Sequence, residues 1–582
     1  MTPAGPWSLL RRYTGPQKWS VVFMSVLLLG TIGLALAEPS VIRQFIIGAQ
    51  QGATDGTLIV IAVVFLVVAG ARQAVRALAV YWSERVGWTA TNQLRSDLLE
   101  HVLGLDLTYH ESRSPGELIE RIDGDVNIVN TFFSSFVVDS VGNVLLLLGI
   151  LIALTLLNPL IGLCFAVLTV MGMLLLVRVS TIATPSWQAD RQQSAMFYGE
   201  LGEILRATED VRSLAAEDFA MGRFFRRIRA WLPVEVRASV WATSVWVVTI
   251  FLFTSAVMLA YGLGGTFYSQ HSLSLGDLFL VVAYALMLTG PMEALRNQLD
   301  YLQRAAAAVQ RICELLAVRS SLVNGTRDLP AGALAVELRG VSFAYPSLDG
   351  ENGRSDVVVF PNLDFSLAPG QTLGLVGRTG AGKSTIANLL FRNYDPQAGA
   401  VRIGGYDVRD LRLESLRARI GLVTQEVHIF AATLRDNLTF FDESIGDDRL
   451  MAALRGLGLA EWLARLPDGL DTHIAADSLS AGEAQLVAFA RVFLKEPGLI
   501  VLDEPSSRLD PVTEGLLGTA IDALLEDRTA ILITHRLETL RRADEIILID
   551  EGQILERGAT ADLLGDGASQ FATLLRAREG AS

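Results

Sequence analysis

The sequence predicts an all-α polytopic membrane domain of six helices joined to an α/β P-loop nucleotide-binding domain. Three observations carry this. Long uncharged apolar runs fill the chain up to about residue 295, each long enough to cross a bilayer or begin a crossing. Beyond them charges thicken, and the pattern shifts to short strands and helices. Within that second part, Gly377-Arg378-Thr379-Gly380-Ala381-Gly382-Lys383-Ser384-Thr385 reads G-x-x-x-x-G-K-[ST], a phosphate-cradling P-loop. At 582 residues the chain is too long for one domain, and its hydrophobic fraction of 51% against 19% charged fits a membrane part. Mean hydropathy is +0.39. The net charge of −14 argues against a nucleic-acid partner, because neutralising phosphates needs a basic face. Two cysteines, Cys164 and Cys313, exclude a disulfide framework, and no zinc-ligand spacing is present.

The spans follow in order. Arg11, Arg12 and Lys18 precede the first apolar run, 19–37, and Glu38-Pro39 follows it in place of a small-residue cleavage site. The run therefore reads as a retained span, not a signal peptide. A second span begins at 57–71 and continues through Arg72 and Arg76 to about residue 82. Runs 140–157 and 160–177 form a third and fourth, hinged at Asn158-Pro159; 238–261 is a fifth, and 278–292 starts a sixth. Short connections poor in Lys and Arg alternate with long ones, 83–136 and 178–237, that are rich in both signs of charge. Lys and Arg mark the cytoplasmic side, so both termini and both long loops face the cytoplasm. The loops have helical periodicity and extend the spans beyond the bilayer.

Ser114-Pro115-Gly116-Glu117-Leu118 breaks the first long loop, and Glu209-Asp210-Val211-Arg212-Ser213 interrupts the second. Each reads as a small transverse helix at a reversal or as an ordinary exposed turn. Within the spans, Arg72 and Arg76 lie four apart on one face, Glu38 ends the first run, and Glu293 and Arg296 follow Pro291. Intramembrane charge is costly. These groups line a polar cavity, pair with one another, or snorkel to the interface. The boundaries expected are a membrane domain at 1–316, a linker at 317–333 and a nucleotide-binding domain at 334–582.

The P-loop has the context its chemistry needs. A buried strand at 372–376 precedes it and a helix follows, so backbone N–H groups and the helix N-terminus face the phosphates. Lys383 reaches the β- and γ-phosphates and the Ser384 hydroxyl ligates Mg²⁺. Further strands are expected at 338–343, 401–403, 420–423, 499–502 and 530–533. The strand at 499–502 delivers Asp503 to the Mg²⁺ shell and Glu504 to a position for orienting or deprotonating a water. The strand at 530–533 ends at Thr534-His535, which places His535 at the ligand crevice of a parallel sheet, towards the γ-phosphate.

Taken together, these residues resemble a half-transporter of the ATP-binding-cassette (ABC) exporter family over nearly the whole chain. The resemblance implies that Tyr345, in Val341-Ser342-Phe343-Ala344-Tyr345, stacks on adenine, and that Gln425 touches Mg²⁺ and faces the membrane domain. It implies that Ser480 and Gly482, in Leu479-Ser480-Ala481-Gly482-Glu483, belong to the signature that completes a partner's ATP site. Ser507-Arg508-Leu509-Asp510 then matches the loop crossing the dimer interface, Glu504 the catalytic base and His535 the switch histidine. The turns near Gly116 and Asp210 match coupling helices that dock on the cassettes.

One region departs from the family. The usual signature is L-S-G-G-Q followed by a basic residue and Gln, whereas Ala481, Glu483 and Ala484 stand here. Glu483 is expected to set a carboxylate near a polyanionic nucleotide, and the usual Gly-Glu-Arg-Gly upstream is missing. The expectation is a heterodimer with one competent and one degenerate site, the partner carrying an intact signature and no glutamate at the position of Glu504. A homodimer, an importer on an exporter fold and a non-transporting regulator are the alternatives.

Overall fold

The computed structural model describes residues 11–345, 357–475, 478–504, 511–534, 536–566 and 569–573. They fall into two compact units, one of 115–318 with the chain up to 103, the other of 104–114 with the chain from 319 onward.

Among the described residues of the first unit, six helices are long and apolar enough to span a membrane: Arg11–Gln50, Asp55–Leu103, Asp139–Leu157, Pro159–Arg206, Glu217–Ser269 and Leu275–Leu295. A helix satisfies all its own backbone groups, which a bilayer demands. The reversals are capped locally. Asn158 accepts hydrogen bonds from the N–H groups of Leu160 and Ile161 at 2.9 and 3.3 Å, with Pro159 in the first helical turn. Ser274 and Asp277 form a reciprocal capping box that restarts the chain at Leu275. Ile150, Leu154, Phe165 and Val281 are fully buried between helices, whereas Leu66 and Leu156 stand 67% and 82% exposed. Such outward apolar faces suit lipid rather than water.

One expectation is corrected here. Glu38 does not end the first helix, which runs on through Pro39 to Gln50. Of the alternatives for the charged groups within the spans, the structure shows pairing for two, Glu38 with Arg72 of the second helix at 2.6 Å. A second cross-helix pair, Arg43 with Asp277 at 2.6 Å, was not anticipated. Each pair cancels charge that an apolar surrounding would penalise.

The second unit is built on two sheets. Its strands are β1 (Val336–Tyr345), β2 (Val357–Leu367), β3 (Thr372–Gly377), β4 (Ala398–Ile403), β5 (Tyr406–Asp407), β6 (Ile420–Val423), β7 (Ala432–Thr433), β8 (His473–Ile474), β9 (Leu499–Asp503), β10 (Thr529–Ile533), β11 (Glu545–Asp550) and β12 (Gln553–Ala559). An antiparallel sheet has the order β2-β1-β4-β5. The larger sheet has the order β12-β11-β3-β10-β9-β6, parallel from β11 to β6 with β12 antiparallel at its edge. β3, β9 and β10 are buried almost end to end, as the near-continuous apolar runs of a covered parallel sheet require. β3 and β9 thus end side by side with β10 between them, which brings the P-loop and Asp503 to one sheet edge.

The stretch expected as a linker packs onto this unit. The N–H of Gly325 donates to the Leu411 carbonyl at 3.1 Å, Asp328 pairs with Arg412, and Leu329 is buried in the core. The element expected around Gly116 is a short helix, Pro115–Ile119, in the first unit, and a second short helix that was not expected, Leu107–Glu111, belongs to this unit. Asp106 explains this: its carboxylate caps Leu107–Glu111 through the Tyr109 N–H and accepts from the Ser321 N–H and hydroxyl at 2.8 and 2.7 Å. Downstream, Pro115 starts a new helix and so separates the two. The element expected near Asp210 is a short helix, Thr208–Ser213.

Candidate functional site

The loop between β3 and the helix Lys383–Leu390 needs glycine at two points. Gly377 sits so close to β11 that a Cβ would collide with the Ile549 carbonyl. Gly382 caps the helix at φ +98°, where a side chain is strained, and a Cβ would lie 2.6 Å from Phe360. Between them Arg378, Thr379 and Gly380 form an exposed crown, while Ala381 and Thr385 are buried beneath it. Lys383 folds back, its ammonium donating to the carbonyls of Gly377 and Arg378 at 3.0 and 2.9 Å.

Ser384 is exposed at the loop's end and its hydroxyl donates to Asp503 Oδ2 at 2.9 Å. Burial pushes the Asp503 carboxyl up, and the neighbouring Glu504 adds to this, against the lowering effect of Ser384 and Lys383. A hydroxyl and a carboxylate meeting at the edge of a phosphate loop are hard oxygen donors suited to Mg²⁺. Glu504 has φ +46°, a left-handed conformation uncommon outside glycine, held by its N–H donating to the Ile533 carbonyl at 2.8 Å. His535 and 507–510 lie outside the described residues.

Tyr345 ends β1 beside the P-loop helix. Its hydroxyl meets Thr385 Oγ1 at 3.1 Å and Asn388 Nδ2 at 3.4 Å. Its ring stands edge-on to Phe343 and Tyr394, with centroids 5.0 and 5.3 Å away. Tyr394 in turn donates to Glu111 at 2.6 Å, and burial with this carboxylate holds its phenol above the ordinary range. Gln425 is exposed just past β6, and its carbonyl accepts from Gln485 at 3.2 Å. Beside it opens a groove of about 550 Å³ lined by Thr424, Val427, Phe430, Phe440 and Arg491.

The stretch around Ser480 is occupied with itself. Ser480 caps the helix Ala481–Leu494, and Glu483 three residues on completes a reciprocal box. Glu483 Oε2 accepts from the Ser480 N–H and the Ser480 hydroxyl, each at 3.0 Å. Glu483 Oε1 accepts from the Trp462 indole N–H at 3.2 Å. Trp462 is 1% exposed in the second core of this unit. Burial raises the Glu483 carboxyl, but these three donors and Arg465 outweigh it and hold the group below the usual carboxylate range. Gly482 is buried and Ala481 exposed.

A model of the ABC transporter transmembrane region matches residues 21–292, and a model of the ABC transporter ATP-binding cassette matches 360–507. The chain belongs to the ABC transporters. An uncharacterised ABC transporter ATP-binding protein of Bacillus subtilis, YknV, is 29% identical over 98% of this chain and 94% of its own. The ATP-dependent lipid A-core flippase of Chromobacterium violaceum is 29% identical over 96% of each chain. The multidrug efflux ATP-binding/permease protein Rv0194 of Mycobacterium tuberculosis is 30% identical over 88% of this chain and 42% of its own. A solved bacterial Atm1-family ABC exporter with ATP bound superposes with a TM-score of 0.77 at 26% identity, covering 97% of this chain and 99% of that one. This ABC transporter is thus a multi-pass membrane protein of exporter fold with a cytoplasmic ATPase cassette.

Within the ABC cassette, the fold brings Lys383, Ser384, Asp503 and Glu504 to one sheet edge, with Tyr345 on the far side of the P-loop helix. Glu483, expected beside a partner's nucleotide, accepts hydrogen bonds from Ser480 and Trp462 of its own cassette. The S-x-x-E spacing of Ser480 and Glu483 is a readable capping box and could have revealed this. Trp462 was missed, because nothing local links a tryptophan to a carboxylate 21 residues later.

Proposed function

We propose that this chain exports amphipathic small molecules, lipids or peptides by alternating access, as one half of a heterodimer with one competent and one degenerate ATP site. The contrast within its own cassette carries the reading. Lys383, Ser384, Asp503 and Glu504 suit ATP and Mg²⁺, whereas the signature around Ser480 differs from the family at Ala481, Glu483 and Ala484. Relatives named as a multidrug efflux protein and as lipid A-core flippases support export of amphipathic cargo.

In this mechanism Lys383 leaves its two loop carbonyls for the β- and γ-phosphates. Ser384, Asp503 and Gln425 would hold Mg²⁺, which would supply neutralisation of charge on the phosphate oxygens. Glu504 orients a water and takes its proton as the water oxygen bonds the γ-phosphorus and the bond to ADP breaks. His535 contacts the γ-phosphate. ATP binding draws the two cassettes together, short transverse helices pass this to the spans, and hydrolysis resets them.

Purifying a tagged copy from its native membrane and taking the intact mass of what accompanies it tests the dimer. The expected companion is one different half-transporter in equal amount, with an intact signature and no glutamate at the position of Glu504. Copies of this chain alone mean a homodimer. A companion with a defective signature and an intact glutamate overturns the complementary-site reading.

A further inference from the structure

A serine hydroxyl has one proton, and in this chain the signature serine gives it to its own helix. Ser480 Oγ donates to Glu483 Oε2 at 3.0 Å while it accepts from the Glu483 N–H at 3.3 Å. Glu483 is held for this task from the other side by Trp462. Three donors converge on the carboxylate: the Ser480 N–H, the Ser480 hydroxyl and the Trp462 indole N–H. An ionised carboxylate is acceptor-only and satisfies all three. Glutamine at 483 cannot, because its amide N–H would face either the indole N–H or the Ser480 N–H. Trp462, itself buried and donor-only, therefore favours the carboxylate over the family's glutamine. The carboxylate also grips the hydroxyl about twice as strongly as a neutral amide would, and its charge opposes the positive end of the helix that a phosphate would use.

We propose that Trp462 and Glu483 are positioning residues that withdraw the Ser480 hydroxyl proton from a nucleotide bound across the signature, and so weaken ATP binding at that site. The proposal rests on the reading above that a partner's ATP faces this signature. It replaces repulsion by a free carboxylate with a different cause: the carboxylate is turned inward, and what the nucleotide loses is a donor.

The test uses the native complex carrying Glu504→Gln, so that hydrolysis at the competent site does not deplete ATP. Radiolabelled MgATP retained per complex after rapid desalting is measured against MgATP concentration. Trp462→Phe with Glu483→Gln is expected to lower the half-saturating concentration at least about threefold, with Glu483→Gln alone giving a smaller shift because it leaves the indole opposed to an amide donor. Trp462→Phe keeps a ring in the core, and Glu483→Gln, which is not buried, provides the reading should the double variant fold poorly. Ala481→Leu, at an exposed position of the same signature, is the companion variant and is expected to raise the half-saturating concentration. If Ala481→Leu weakens retention and the Trp462 and Glu483 variants change nothing, the proposal is overturned and the composite site stands. If none of these variants moves the curve, no nucleotide faces the signature and both readings fall. A gain in the double variant without a loss in Ala481→Leu traces the effect to this chain's own P-loop and also overturns the proposal.

Discussion

The P-loop half and the signature half of this cassette treat their polar groups in opposite ways. In the P-loop half the groups gather at the exposed edge of the loop. Lys383 donates to two backbone carbonyls of its own loop, and Ser384 meets Asp503 at an exposed edge. In the signature half the groups are committed, since the Ser480 N–H, the Ser480 hydroxyl and the Trp462 indole N–H converge on Glu483. The strain is distributed accordingly. Glu504 sits at φ +46° and burial pushes the Asp503 carboxyl up, while the signature helix has a complete cap. A site ready for a ligand carries unfavourable local terms that the ligand relieves. A site that satisfies itself is more stable alone and has less to offer.

The largest expected effect breaks the comparison if it fails. Glu504→Gln keeps size and the backbone bond to Ile533 but removes the base, so steady-state ATP turnover should fall by about 10²- to 10³-fold with ATP binding preserved. Unchanged turnover would mean that the strained carboxylate is not the base, and the P-loop half would lose its claim to be the competent one.

Asp503→Asn asks whether readiness has a stability cost. The native carboxyl is raised above its ordinary value, so its ionised form destabilises the fold, and stability is lost as pH rises through the folded value. Without nucleotide, the variant should melt about 1–3 °C higher than the native protein at pH 7–8, and the difference should shrink as pH falls towards 4. Mg²⁺-dependent turnover should drop by at least about tenfold. A lower melting temperature at pH 8 would show that Asp503 is stabilising where it sits.

Glu483 is the mirror case. Its carboxyl is held below the ordinary range, so its contribution is present above the unfolded value and is lost as pH falls through the folded one. Glu483→Gln should cost about 1 kcal/mol of cassette stability at pH 7, with little difference left at the lowest pH the protein tolerates. Melting curves from pH 4 to 8 read both this and the Asp503 variant, and the two should diverge in opposite directions as pH rises.

These two carboxylates also mark what was legible in the sequence. Asp503 follows an apolar run, a signal with a fixed meaning in a P-loop protein, and β6, β9 and β10 fell within a residue of their expected bounds. The six spans were equally plain, because a bilayer allows few solutions. Glu483 carries two signals, an identity that suggests charge repulsion and a spacing from Ser480 that encodes a cap, and the structure shows the second. The pairing of Glu38 with Arg72 and the seating of Leu107–Glu111 beside Tyr394 depend on residues tens to hundreds apart, and no local period carries that information.

The smallest effect sharpens the comparison most, because it probes a committed group in the P-loop half. The Tyr345 hydroxyl meets Thr385 and Asn388, while its ring stands edge-on to Phe343 and Tyr394. If the ring serves adenine and the hydroxyl serves the fold, Tyr345→Phe should change ATP affinity less than about twofold and stability by about 0.5–1 kcal/mol. Tyr345→Ala should then weaken ATP binding by about tenfold, the scale of one lost stacking contact with a base. Equal losses of affinity in both variants would mean that the hydroxyl positions the P-loop helix through Thr385. The P-loop half would then depend on an internal polar network as the signature half does, and the contrast between them would reduce to which residue ends each network: a tyrosine at the P-loop helix, or a carboxylate that closes on its own helix.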